Sequence, residues 1–96
     1  MILPDWGTKI NQPAKTDKDT ADAALDEKTK ELISMGIAIA LRCDGCIGFH
    51  TKGLVRLGTT RQEFEEMLGV AIYMGGGPSL MYAAQALDAW EQFGGQ

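Results

Sequence analysis

From Met67 to Leu87 the chain carries no charged residue, a stretch long enough to suit a bilayer-spanning helix. Gly75-Gly76-Gly77-Pro78 sits in its middle, however, and Ser79, Tyr82 and Gln85 add polar groups beyond it. Glycine and proline together end a helix, because one has no conformational restraint and the other no backbone N–H. The stretch therefore reads as two short buried helices meeting at a loop. No run alternates with period two for long and β-branched residues are sparse, so no strand is expected. The expected fold class is all-α.

Helix signals divide the rest of the chain. Asp26 is a good N-cap with Glu27 in the first turn behind it, and apolar residues recur at Leu32, Met35 and Ile39. A first long helix is expected to reach Leu41, with Arg42 as its last-turn cation. Asp44-Gly45 then reads as a sharp connection, Asp44 capping a second helix from about Cys46 to Leu57, and Gly58 closing it in a left-handed conformation. Thr60-Arg61-Gln62-Glu63 is a capping box that opens a third helix ending at Gly75–Gly77. Pro78 fits the first position of a fourth, reaching about Phe93. Residues 1–24, broken by Pro4, Gly7 and Pro13, read as an irregular N-terminal arm, and 25–96 as one helical domain.

Glycine is over-used, at 12 of 96 residues against an average near 7%. Gly36, Gly48, Gly53 and Gly69 fall inside expected helices, where each costs about 1 kcal/mol relative to alanine. Close helix–helix approach is the expected compensation, and Gly48 and Gly53 also leave room for a substrate or partner helix. A chain this short covers only a modest core, which points to an obligate homo-oligomer. Met67, Met74, Met81 and Tyr82 are expected in the core or at subunit contacts, and Trp6 and Trp90 are candidate interface anchors. A net charge of −4 without a basic cluster argues against nucleic acid and anionic membranes as partners. The first residues, Met1-Ile2-Leu3-Pro4-Asp5, show no signal-peptide pattern, so a cytoplasmic protein is expected.

Chemistry concentrates in Arg42-Cys43-Asp44-Gly45-Cys46-Ile47-Gly48-Phe49-His50, which holds both cysteines and the only histidine. A Cys-x-x-Cys turn lets two sulfurs join and separate again without large backbone motion. Cys46 lies near a helix N-terminus, which favours its thiolate, and shares a helix face with His50. His50 is then a candidate base or proton shuttle. Glu31 is a candidate partner for it. At 1.5 Å per residue, a reversal near Cys43 puts Glu31 about 18 Å back along one helix and His50 about 10 Å along the next. The offset of about 8 Å calls for long side chains and a bridging water. Other uses of these residues stay open. Cys43, Cys46 and His50 supply three ligands where a structural zinc site wants four, and the cysteines also suit a purely structural role. No cofactor signature stands out: the Gly75–Gly77 run lacks the lysine and preceding strand of a phosphate loop.

The pattern Glu31-x11-Cys43-x2-Cys46-x3-His50 resembles the active-site signature of the alkylhydroperoxidase D-like (AhpD-like) branch of the carboxymuconolactone decarboxylase superfamily. Leu25-Asp26-Glu27-Lys28-Thr29-Lys30-Glu31-Leu32-Ile33 and Met74-Gly75-Gly76-Gly77-Pro78 resemble it too, so the likeness spans residues 25–93. The resemblance implies an all-α subunit, assembled as a trimer or hexamer, that reduces hydroperoxides with electrons from a dithiol or protein donor. It also implies Cys46 as the peroxidatic thiol, Cys43 as the resolving thiol, and Glu31 and His50 as the proton relay. In the family's peroxidase a second histidine directly precedes the second cysteine, and here that position is Gly45. A protein disulfide reductase or redox partner, and from another class a non-catalytic oligomeric binding module, therefore stand beside peroxide reduction. The decarboxylase branch does not depend on a Cys-x-x-Cys pair.

Overall fold

The computed structural model describes residues 20–96, and among them it contains four helices and no strand. They are α1 (Glu27–Leu41), α2 (Asp44–Arg56), α3 (Arg61–Gly75) and α4 (Gly77–Gln92). Most of the expected N-terminal arm, Trp6 included, lies outside the described residues. Its final part leads into α1, where Asp22 accepts a hydrogen bond from the Glu27 backbone N–H at 2.7 Å.

Two of the four helices, α1 and α3, begin at side-chain caps. The Asp26 carboxylate accepts the Thr29 backbone N–H at 2.7 Å, which satisfies one of the unpaired donors at the start of α1. Thr60 and Glu63 form the full capping box of α3: the Thr60 hydroxyl accepts from the Glu63 N–H, and the Glu63 carboxylate accepts from the Thr60 N–H. Gly58 adopts φ 77° after α2, and Gly76 adopts φ 81° between α3 and α4. Pro78 is the second residue of α4 rather than the first, because Gly77 is already helical.

The turn between α1 and α2 departs from expectation. Arg42 takes the left-handed conformation (φ 58°), its N–H reaching Ile39 O at 3.1 Å, while the Cys43 N–H reaches Ala38 O at 2.9 Å. These two bonds close α1 as a Schellman motif, so the chain reverses at Arg42–Cys43 and not at Asp44–Gly45. Arg42 is thus the left-handed cap and no cation sits in the last turn of α1. Cys43, in extended conformation, becomes the N-cap of α2, and Asp44 is its first helical residue instead of its cap.

In space α1, α2, α4 and α3 form a closed ring, with α1 and α4 also touching across the diagonal. The core between them holds Met35, Ile39, Ile47, Leu54, Phe64 and Trp90, with Leu68 and three alanines filling the narrower places. Trp90 is fully buried and stacks on Phe64 with ring centroids 4.5 Å apart. It is a core residue and not an interface anchor. Met67 packs against the core, as does Tyr82, while Met74 and Met81 are exposed. No helix among the described residues is long and apolar enough to cross a membrane.

The close approach expected at interior glycines occurs elsewhere. A Cβ added at Gly48 or Gly69 meets nothing within 4 Å, whereas one at Gly75 lands on the Ser79 side chain and 3.0 Å from the Ala40 Cα. Gly75 is where the end of α3 crosses α1, and the backbone of α1 cannot move aside as a side chain can. Gly75→Ala should therefore destabilise the fold by about 1–3 kcal/mol. Gly69→Ala, in an exposed helix interior, should stabilise it by about 0.5–1 kcal/mol. Urea denaturation of the two variants decides, and equal effects would remove the assignment of Gly75 as the tight crossing. A second expectation concerns acid. The Glu63 carboxyl is held below its ordinary value, first by the Thr60 backbone N–H and then by the Lys28 ammonium at 3.0 Å. A depressed folded value means that its contribution is complete above an unfolded value of about 4.3 and is lost as pH falls through the folded value. Glu63→Gln should accordingly flatten the fall in melting temperature between about pH 5 and about pH 3. An unchanged slope would show that the capping carboxylate is not part of the acid sensitivity.

Candidate functional site

Cys43 and Cys46 are joined as a disulfide across the first turn of α2, with Cα atoms 5.3 Å apart. The helix itself sets this spacing. Cys43, as N-cap, accepts the Cys46 N–H at 3.1 Å and the Ile47 N–H at 3.2 Å, so both sulfurs leave the same short arc of backbone. Both cysteines are half-buried, and Gly45 between them is exposed, with open space where a side chain would start. Because α2 starts two residues earlier than expected, the field of its N-terminus acts on both sulfurs and does not by itself single out Cys46.

His50 lies one helical turn beyond Cys46, on the same face of α2. Its ring is buried against α1, where Nδ1 meets Glu31 Oε2 at 2.8 Å. The two side chains are only 8% and 12% exposed. An ionised carboxylate only accepts hydrogen bonds, so in this contact the Nδ1–H donates, and in the neutral form of the ring Nε2 then carries the lone pair. Nε2 has no hydrogen-bond partner among the described residues. The arrangement is an imidazole held at Nδ1 by a carboxylate on the facing helix.

The direct contact replaces the bridging water expected from axial arithmetic. A Cβ added at Gly53 would meet Glu31 Oε2 at 3.6 Å, an ordinary contact distance, so Gly53 faces Glu31 rather than the open space expected for a substrate or a partner helix. Nearby, the Thr51 hydroxyl points to the Met35 sulfur at 3.7 Å and helps set the register between the two helices.

Phe49 borders the site, and its place directly before the only histidine is the sequence signal that marks it. Its ring stands edge-on to His50, centroids 5.2 Å apart at 85°, yet the residue is 74% exposed. With Cys43 and Cys46 joined to each other, no group of three or more His, Cys, Asp or Glu side chains that could hold a metal ion is gathered among the described residues.

Residues 7–89 match the model of the carboxymuconolactone decarboxylase family. The chain belongs to this family. An uncharacterized protein of Cupriavidus necator is 44% identical over 68 residues, which cover 71% of this chain and 60% of that protein. The chain thus spans about three-fifths of that relative's length. A Paracoccus denitrificans protein named as uncharacterized protein 4 in the cox locus is 37% identical over 75 residues, or 78% of this chain and 68% of that one. Among solved structures, an apo carboxymuconolactone decarboxylase family protein from Legionella pneumophila superposes with TM-score 0.78 at 62% identity, covering 80% of this chain and 69% of that one. The all-α subunit expected from the resemblance is therefore observed, and the AhpD-like branch is consistent with these relatives. Family membership covers decarboxylases and peroxidases alike, so chemistry must be argued from the site.

Proposed function

We propose that this member of the family is a thiol oxidoreductase that reduces hydroperoxides through Cys46 and Cys43. The observation that carries the reading is a disulfide at a helix start, one turn from a buried His50–Glu31 pair. In the reduced protein, His50 Nε2 takes the Cys46 proton. The thiolate attacks the terminal peroxide oxygen, the O–O bond breaks, and the leaving alkoxide takes a proton to become an alcohol. Cys46 is left as a sulfenic acid. The Cys43 thiol then gives up its proton and attacks that sulfur, hydroxide leaves and takes the proton to become water, and the disulfide forms. A dithiol donor returns two electrons and two protons and restores both thiols. Since the helix start acts on both sulfurs, the proximity of His50 makes Cys46 the first to react. A cytoplasmic setting, where donors are kept reduced, is part of the proposal.

The test is hydroperoxide consumption by the reduced protein with dithiothreitol as donor. Cys46→Ser should abolish it, and His50→Ala or Glu31→Gln should lower it at least tenfold, given the 10²–10⁴-fold worth of a positioned base. In Cys43→Ser a dimedone-type reagent should trap a sulfenic acid at Cys46. Gly45→His should raise the rate, since the position is open and stands where the family's peroxidase has its second histidine. Trapping at Cys43 in a Cys46→Ser variant, with none at Cys46 in Cys43→Ser, would reverse the two assignments. Intact disulfide cycling without peroxide consumption would turn the reading to disulfide exchange.

Assembly into a homo-oligomer, trimer or hexamer, belongs to the same proposal. Ile33, Ile37, Val70 and Met74 are exposed and line an apolar groove of about 360 Å³ between α1 and α3. Leu41, Tyr73, Leu80 and Met81 are exposed as well, and a subunit this small has no further element among the described residues to cover them. Light scattering should give three or six times the monomer mass. A folded monomer at micromolar concentration would refute assembly and leave the thiol chemistry untouched.

A further inference from the structure

We infer that the exposed face of α2 docks an acidic protein dithiol that reduces the Cys43–Cys46 pair, a conclusion that rests on the redox function proposed for that pair. Gly45, Phe49, Lys52 and Arg56 are all exposed, and their spacing aligns them on one stripe of the helix. The stripe starts at the sulfurs. Added Cβ atoms at Gly45 and Gly48 meet nothing within 4 Å, so the backbone around Cys46 is bare enough for another chain to approach the S–S bond. Phe49 follows as an exposed apolar anchor. Lys52 and Arg56 come next, about 9 Å and about 15 Å along the axis from Cys46. A small dithiol bonded to a sulfur does not reach both cations, whereas a folded or peptide partner does.

Charge selects the partner. Lys28 and Arg61 each have a carboxylate within 4 Å, but Arg42, Lys52 and Arg56 have no such partner among the described residues. From Arg42 to Arg56 the only acid is Asp44, so three cations less one anion leave +2 in a chain whose total is −4. An acidic partner is drawn to this patch, a stretch of the chain where cations outnumber acids. In the exchange a partner thiolate attacks one sulfur, the S–S bond breaks, and the released sulfur takes a proton. The partner's second thiolate then attacks the mixed disulfide, closes its own disulfide, and frees the other sulfur, which is protonated in turn.

Two synthetic peptides provide the probe, sharing one Cys-x-x-Cys core flanked by three glutamates or by three glutamines. Each reduces the oxidised full-length protein, followed by alkylation and mass spectrometry, and each rate is divided by that peptide's rate with hydroxyethyl disulfide. At low salt the glutamate peptide should lead by on the order of tenfold, and the lead should vanish by about 0.5 M salt. In Lys52→Gln/Arg56→Gln the low-salt ratio should fall toward one. A ratio of one in the wild type, or an undiminished ratio in the double variant, overturns the proposal. So does a changed oligomeric mass in that variant, which would assign the cations to contacts between copies. Hydroperoxide consumption is measured separately: its failure removes the peroxidase reading and leaves the peptide ratio to stand or fall alone.

Discussion

Two backbone hydrogen bonds at the end of α1, from Arg42 to Ile39 and from Cys43 to Ala38, set the geometry of the whole site. They close α1 and turn the chain within two residues, at the cost of holding a non-glycine residue at φ 58°. The closure leaves Cys43 in extended conformation at the head of α2, and the next turn of helix carries Cys46 beside it. Once α2 departs from that point and packs along α1, His50 faces Glu31. A later start for α2 would rotate the helix by about 100° per residue about its own axis and carry His50 off the α1-facing side. The sulfur spacing and the ring–carboxylate contact therefore follow from one turn.

Burying a carboxylate and an imidazole together is an unfavourable choice for stability alone. A well-packed apolar pair of similar volume often stabilises as much or more, while removing one member of a buried pair costs about 3–5 kcal/mol. A chain with a small core accepts such a pair where a site needs a fixed ring orientation, as the proposed base does.

Helix ends with strong local chemistry were legible in the amino-acid sequence, because a cap is a contact between residues three apart. Asp26, the Thr60–Glu63 box and Gly58 all act as their local patterns require. The α1–α2 turn was not legible in the same way. Asp44-Gly45 has better turn chemistry than Arg42-Cys43, yet the register of α1 against α2 decides the outcome, and that register is a tertiary quantity. The Glu31–His50 distance failed for a related reason: axial offsets treat helices as rods and omit how closely two packed helices bring facing side chains. Trp90 looked suited to an interface because aromatic residues serve both cores and contacts. Its position opposite Phe64 is a matter of how α4 crosses α3.

The proposed chemistry asks one nitrogen to serve two proton transfers. On the proposed chemistry, Nε2 first takes the Cys46 proton and then returns a proton to the leaving alkoxide, so the same atom serves as base and acid in turn. This is feasible where a carboxylate holds the opposite nitrogen, since it fixes the tautomer and stabilises the cation formed between the two transfers. Glu31 stands in that position. With a second histidine before Cys46 the two transfers could be divided, each group keeping the protonation state its step requires. At Gly45 no such group exists, and the ring must change partners between steps without changing place. The buried contact to Glu31, the edge of Phe49 and the packing of α2 against α1 restrain the ring and leave small motion for the proton to follow. On the proposed chemistry, fixing one base firmly lets a single histidine carry work otherwise shared by two.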